Sequence, residues 1–277
     1  SPPTCEYGHE EYSTAAVRMA DYLSPAGEPN GTFGNRVFNN KIFVTAPDYP
    51  YPFYTPMAWA IYYSASAGDN PVFGNEITIH DPDPASKVEA AAFYVCGGPA
   101  GFGGQFYDNR ITTNVPAAWI ASMYGGAANT KMFNNTIIKA PGTKEDFRVI
   151  RMGHAGCDHC LAKNIEFRSN VVEGTDFGVQ LTDQDHNFSV YWTLDVQVND
   201  KDGKSLMQIP VSIFDNNKNK VASGMTDALG MYSVELLQYT FDNQGTKGLS
   251  PYTVVVGKEK REVSLTRNTR VTIAAKR

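Results

Sequence analysis

The sequence predicts an all-β protein in two parts: a parallel β-helix over residues 1–187, then a β-sandwich over residues 188–277. Three observations predict it. An aromatic residue, an asparagine and a β-branched residue recur together five times between residues 38 and 172. Strand-like runs without a helical period recur between these copies, and after Asn187 the pattern changes to strict alternation interrupted by turns.

The five copies are Phe38-Asn39-Asn40-Lys41-Ile42, Phe73-Gly74-Asn75-Glu76-Ile77, Tyr107-Asp108-Asn109-Arg110-Ile111, Phe133-Asn134-Asn135-Thr136-Ile137 and Phe167-Arg168-Ser169-Asn170-Val171-Val172. Their asparagines, Asn40, Asn75, Asn109, Asn135 and Asn170, stand 35, 34, 26 and 35 residues apart, the spacing of a stack in which each unit is one layer. An asparagine at a tight bend tolerates left-handed backbone angles, and its amide can bond to the equivalent amide one layer away. The expectation is a ladder of amides at one corner, with Ile77, Ile111 and Ile137 pointing inward beside it.

A second strand slot is filled by Ala15-Ala16-Val17-Arg18-Met19, Ala58-Trp59-Ala60-Ile61-Tyr62, Ala91-Ala92-Phe93-Tyr94-Val95, Ala117-Ala118-Trp119-Ile120 and Asp146-Phe147-Arg148-Val149-Ile150. Nothing between the two slots has the length and period of a helix, so the connections read as loops.

From Val190 onward Val190, Trp192, Leu194, Val196 and Val198 alternate with polar or aromatic partners, which predicts a half-buried antiparallel strand. Turn chemistry follows at Lys201-Asp202-Gly203-Lys204, Asp215-Asn216-Asn217-Lys218-Asn219, Asp227-Ala228-Leu229-Gly230 and Asp242-Asn243-Gln244-Gly245. Seven short strands in the last ninety residues or so make a sandwich of immunoglobulin type.

Two resemblances follow. The run Val198-Asn199-Asp200-Lys201-Asp202-Gly203-Lys204, with Pro210-Val211-Ser212-Ile213 and Gly224-Met225-Thr226-Asp227-Ala228-Leu229-Gly230-Met231-Tyr232, resembles the carboxypeptidase-regulatory or transthyretin-like domains of secreted proteins. Residues 10–187 resemble the right-handed parallel β-helix family, which includes pectate lyases and polygalacturonases as well as surface proteins without catalysis. The resemblances imply architecture, not one activity.

Composition points to an extracellular protein. Charged residues make up 19%, below the roughly 25% usual in globular chains. No apolar run approaches a membrane span, and Ser1 opens without a signal peptide, which reads as a mature or trimmed product. Three sequons mark candidate glycosylation at Asn30, Asn134 and Asn187. Residues 1–187 hold 12 basic and 20 acidic side chains, a balance of −8, whereas 188–277 hold 12 and 9, a balance of +3. Nucleic acid is a poor partner for the acidic part, and opposite signs favour head-to-tail contact between copies.

Cys157-Asp158-His159-Cys160, with His154 upstream, places two thiols and two imidazoles within seven residues. Two readings stand: a disulfide between Cys157 and Cys160, which secretion favours, and the seed of a zinc site. The more distant Cys5 and Cys96 have no assigned pairing. For catalysis the weak candidates are Arg151, His154 and Asp158, the first two in a segment that resembles one polygalacturonase step. The companion acidic steps of that family are missing, and no cofactor is expected beyond a weak case for calcium or zinc.

Tyr49, Tyr51, Phe53 and Tyr54 are held among three prolines and, with Trp59, form the candidate binding surface for a sugar or another protein. The N-terminal rung has only residues 1–10 ahead of it, so an open edge invites pairing. The leading expectation is a non-catalytic secreted structural or surface protein that associates with itself, as a filament or layer, and contacts glycans. The alternative is a C-terminal fragment of a polysaccharide lyase or glycoside hydrolase.

Overall fold

A computed structural model describes residues 13–19, 34–47, 57–64, 70–83, 88–96, 103–121, 126–143, 147–182 and 185–275. Every regular element among them is a β-strand. The chain divides into two compact units, Ser1–Glu166 with Val171–Phe188, and Phe167–Asn170 with Ser189–Arg277.

The first unit is a β-helix-like solenoid of parallel sheets. Its first sheet runs Ser13–Met19, Met57–Ser64, Glu89–Cys96, Ala118–Ile120, Ile150–Met152 and Val179–Leu181, in that spatial order. A second sheet stacks Val37–Phe38, Val72–Phe73, Gln105–Tyr107, Lys131–Phe133 and Ile165–Arg168. A third stacks Lys41–Thr45, Glu76–His80, Arg110–Thr113, Thr136–Lys139 and Val171–Glu173. Spatial order equals chain order in each sheet, so each turn of the coil lays one strand on every face.

Two details differ from the sequence expectation. Each period carries at least three strands rather than two, because the aromatic copy straddles a corner and splits into a short strand before it and another after it. The fourth and fifth periods add Ala127–Ala128 and Ala162–Lys163, which pair in parallel as a small sheet of their own. In the first sheet the fifth strand is Ile150–Met152 rather than 146–150, and Val179–Leu181 adds a sixth. Val149 and Ile150 are buried in succession, which breaks the alternation there and leaves the strand start unmarked in the sequence.

The interior is built from like residues in register. Ile42, Ile77, Ile111, Ile137 and Val172 follow one another across the third sheet, and Ile77, Ile111 and Ile137 are at most 1% exposed. Outside the corner, rings of Phe38, Phe73, Tyr107 and Phe133 stack with centroids 5.3, 5.0 and 4.7 Å apart and planes within 8°. In the fifth copy the aromatic turns inward: Phe167 is 1% exposed, and Arg168 stands two residues before the asparagine.

The second unit holds two sheets. One contains Phe188–Asn199, Met231–Asp242, Gly245–Gly248 and Thr269–Ala274; the other, Lys220–Met225, Pro210–Phe214, Tyr252–Val256 and Glu259–Val263, is antiparallel. The strand over 188–199 alternates buried and half-buried residues along its whole length. Its partner Thr269–Ala274 runs parallel to it, a correction to the antiparallel expectation. A long crossover separates these two strands in sequence, so no hairpin dictates their sense. There is also an eighth strand, Gly245–Gly248, because the turn at 242–245 closes a hairpin with Tyr239–Asp242. The Tyr252 hydroxyl donates to the Leu237 carbonyl on the opposite sheet, and burial pushes its pKa up to about 12.

Candidate functional site

Two groups of polar side chains in the solenoid are built rather than scattered. The first is the asparagine corner. Asn40 donates both its backbone N–H and its Nδ2 to Asn75 Oδ1, each at 3.0 Å. Asn75 donates likewise to Asn109 Oδ1 at 3.0 and 2.9 Å, and Asn109 to Asn135 Oδ1 at 3.1 and 2.9 Å. The remaining amide hydrogens of Asn75, Asn109 and Asn135 go to the carbonyls of Phe73 and Val37, Val72, and Phe106. Asn75, Asn109, Asn135 and Asn170 are at most 2% exposed.

The left-handed backbone sits one residue earlier than expected. Asn39, Gly74, Asp108, Asn134 and Ser169 have φ of 54°, 63°, 54°, 55° and 49°. The residue before the ladder turns the chain, which leaves the asparagine itself free to aim its amide along the stack. A second column was not foreseen: Asn35 N–H donates to Asn70 Oδ1, Asn164 Nδ2 to Asn129 Oδ1, and Asn164 N–H to Asn187 Oδ1. The signal for it was the 35-residue repeat of Asn35 with Asn70 and of Asn129 with Asn164.

The second group lies on the first sheet. Tyr62, Tyr94, Trp119 and Arg151 occupy one register row across four strands. The Tyr62 and Tyr94 rings stack at 5.1 Å, and the Arg151 guanidinium lies 3.7 Å over Trp119. Trp119 Nε1 donates to the Gly153 carbonyl at 2.9 Å, and its ring stacks at 6.0 Å on His154. His154 Nε2 is 3.6 Å from Glu89 Oε1. Next to Arg151 lies a cavity of about 320 Å³, lined also by Gln180 and Thr182.

Of the weak catalytic candidates, Arg151 and His154 flank the same tryptophan, but Asp158 does not join them. It is 99% exposed and binds His159 Nδ1 at 3.0 Å, a contact that holds its carboxyl below the usual carboxylate range. The carboxylate that does meet His154, Glu89, went unnoticed in the sequence, where nothing but its strand position distinguishes it. Glu76 and Glu166 form surface ion pairs with Lys41 and Lys131.

Trp59 is fully buried, its ring 4.1 Å from Tyr94, so it is a core ring and not an exposed platform. Its strand packs both faces, which its alternation with alanines concealed. Tyr49, Tyr51, Phe53, Tyr54, Asn30 and Cys5 lie outside the described residues. Cys96 is buried with its sulfur 3.9 Å from the Tyr62 hydroxyl. Asn134 is an exposed corner residue, and Asn187 is half-buried.

Cys157 and Cys160 are joined in a disulfide, with Cα atoms 5.5 Å apart. His159 Nε2 stands 3.6 Å from Cys157 Sγ. Farther along the chain His186 is buried and accepts the Ala162 N–H at Nδ1, so its proton sits on Nε2 and is donated to Thr182 Oγ1, 3.0 Å away. Burial, then the nearby Lys163 charge, depresses its pKa.

No family model matches the chain, and no curated protein does. Among solved structures it is similar to the Bacillus anthracis TIE protein, with 16% identity and a TM-score of 0.26 over 36% of this chain. The match spans 18% of the length of that protein. A likeness of this size carries no conclusion about this chain. Among the described residues no helix is long and apolar enough to cross a membrane.

Proposed function

We propose that this is a non-catalytic extracellular structural or surface protein that associates with copies of itself, the C-terminal unit of one chain meeting the first rung of the next. The observation that carries the reading is the first rung. Among the described residues Lys41–Thr45 is the outer strand of its sheet, paired with Glu76–His80, with Phe43 73% exposed and Phe38 47% exposed. An outer strand with large apolar side chains in water is a template for further pairing.

The second unit offers a complementary feature. Lys220–Met225 is the outer strand of its sheet, and Met207, Val221, Met225 and Leu229 are all exposed. The balances of −8 over residues 1–187 and +3 over 188–277 favour that pairing over contact between like ends. Such contact is heterologous and propagates unless its rotation closes a ring. The disulfide supports an oxidising compartment. On this reading the solenoid is right-handed and pectate-lyase-like, and the second unit is of carboxypeptidase-regulatory type, on the strength of the run Thr226-Asp227-Ala228-Leu229-Gly230-Met231-Tyr232. The glycan contact rests on the aromatic run at 48–56 alone.

Sedimentation velocity and negative-stain microscopy test the proposal. The native chain should form concentration-dependent oligomers, and Phe43→Lys or Met225→Asp, which set like charge against the facing unit, should each shorten them. A strictly monomeric native protein at high concentration would overturn the reading. Release of unsaturated uronides or reducing ends from pectin or alginate, abolished by His154→Ala, would replace it with the enzyme alternative.

A further inference from the structure

We propose that the loop over residues 157–160 is a redox-gated zinc site, in which Cys157, His159 and Cys160 become ligands once their disulfide is reduced. The three donor atoms lie within 4.8 Å of one another. In a tetrahedral zinc site, Zn–S near 2.3 Å and Zn–N of about 2.0–2.1 Å put a sulfur and a nitrogen ligand about 3.6 Å apart. Cys157 Sγ and His159 Nε2 already stand at 3.6 Å. The two sulfurs need to part to about 3.8 Å for the same geometry, a change within reach of side-chain rotation.

The surrounding shell supports the same assignment. Zinc-bound imidazoles commonly give their other ring N–H to a carboxylate, which fixes the tautomer and raises the basicity of the ligating nitrogen. Asp158 Oδ1 lies 3.0 Å from His159 Nδ1, which leaves Nε2 as the lone-pair nitrogen on the sulfur side. His154 is not part of the set, since its Nε2 faces Glu89 and its ring lies on Trp119. Cys160 is fully buried and Cys157 8% exposed, whereas His159 has a side chain 54% exposed, so three protein ligands leave a fourth position toward solvent. Three ligands and one solvent position is the open form of a zinc site.

The gate is chemical. A trialkylphosphine attacks Cys157 sulfur and breaks the S–S bond; water supplies the oxygen of the phosphine oxide and the two protons of the resulting thiols. Zinc then displaces both thiol protons and binds the thiolates. While the disulfide persists, neither sulfur can act as a thiolate ligand.

Cobalt(II) is the probe, titrated into phosphine-reduced and untreated full-length protein, with far-ultraviolet circular dichroism as a check on the fold. The reduced protein should take up one equivalent with thiolate-to-cobalt charge-transfer absorption, displaced by zinc, and the untreated protein none. His159→Ala should weaken uptake at least tenfold and Asp158→Asn about 10–100-fold. Both residues are surface-exposed, so their variants keep the fold. Equal cobalt uptake with the disulfide intact, unchanged affinity in His159→Ala, no uptake by reduced folded protein, or loss of β-sheet signal on reduction would each overturn the proposal.

Discussion

Asn75 gives its backbone N–H and its side-chain amide to a single atom, Oδ1 of Asn109, and Asn109 repeats the arrangement toward Asn135. Both donors of one layer therefore depend on one acceptor in the next. Replacing Asn109 by Ala strips the partner from two buried donors of Asn75 and should cost about 1–3 kcal/mol in urea denaturation. Asn40→Ala, at the exposed end of the ladder, should cost less. Equal losses at the two positions would show that the ladder contributes nothing beyond the turn.

Gly74 and Asp108 occupy the same left-handed corner position but should respond differently to substitution. Gly74→Ala forces a side chain to φ +63° and places its Cβ 2.6 Å from Asn39 Oδ1, which should destabilise by about 1–2 kcal/mol. Asp108→Gly removes a strained side chain while loosening the unfolded chain, and should stay within about 0.5 kcal/mol of the parent. Denaturation midpoints that move together would remove the left-handed column as a constraint.

Trp119 unites the polar group on the first sheet. It is 1% exposed, supports Arg151 on one face and donates to Gly153. Trp119→Ala should therefore cost about 3–5 kcal/mol, and Trp119→Phe distinctly less because the ring contact survives. Thermal melts of the two variants distinguish a packing role from a dispensable surface ring.

His186 sets an acid limit. Its folded pKa is lowered, so the native state resists a proton that the unfolded chain accepts below about 6.5. The stability it contributes is fully present above that value and declines as pH falls toward the depressed folded pKa. Melting temperatures of the parent and of His186→Gln should converge on acidification; a constant difference down to about pH 5 would contradict the protonation state deduced from its partners.

The corner was legible because its requirement is chemical and local: five asparagines at layer spacing, each followed by an inward isoleucine or valine. The alternating face of 188–199 was legible for the same reason, since burial there has period two. The exact turn residue was not, because asparagine is common at both adjacent positions and only the backbone separates the roles of Asn39 and Asn40. Glu89 and Trp59 were opaque for another reason. Their strands, Glu89–Cys96 and Met57–Ser64, are buried on both faces, so neither alternation nor polarity reports which way a side chain points. His186 gave no periodic signal at all; its neutral tautomer follows from two partners 24 and four residues away.

The 26-residue interval between Asn109 and Asn135 sits in the same ladder as intervals of 34 and 35, with bonds of the same length. Coil circumference is thus uncoupled from coil pitch: the corner acts as a ruler, and the excursions between rulers are free to lengthen or shorten. Foreign peptides grafted into an excursion, for instance between Pro141 and Thr143, would be displayed at a fixed height along the stack. The same freedom allows whole layers to be duplicated or removed, provided that each new layer supplies its own asparagine.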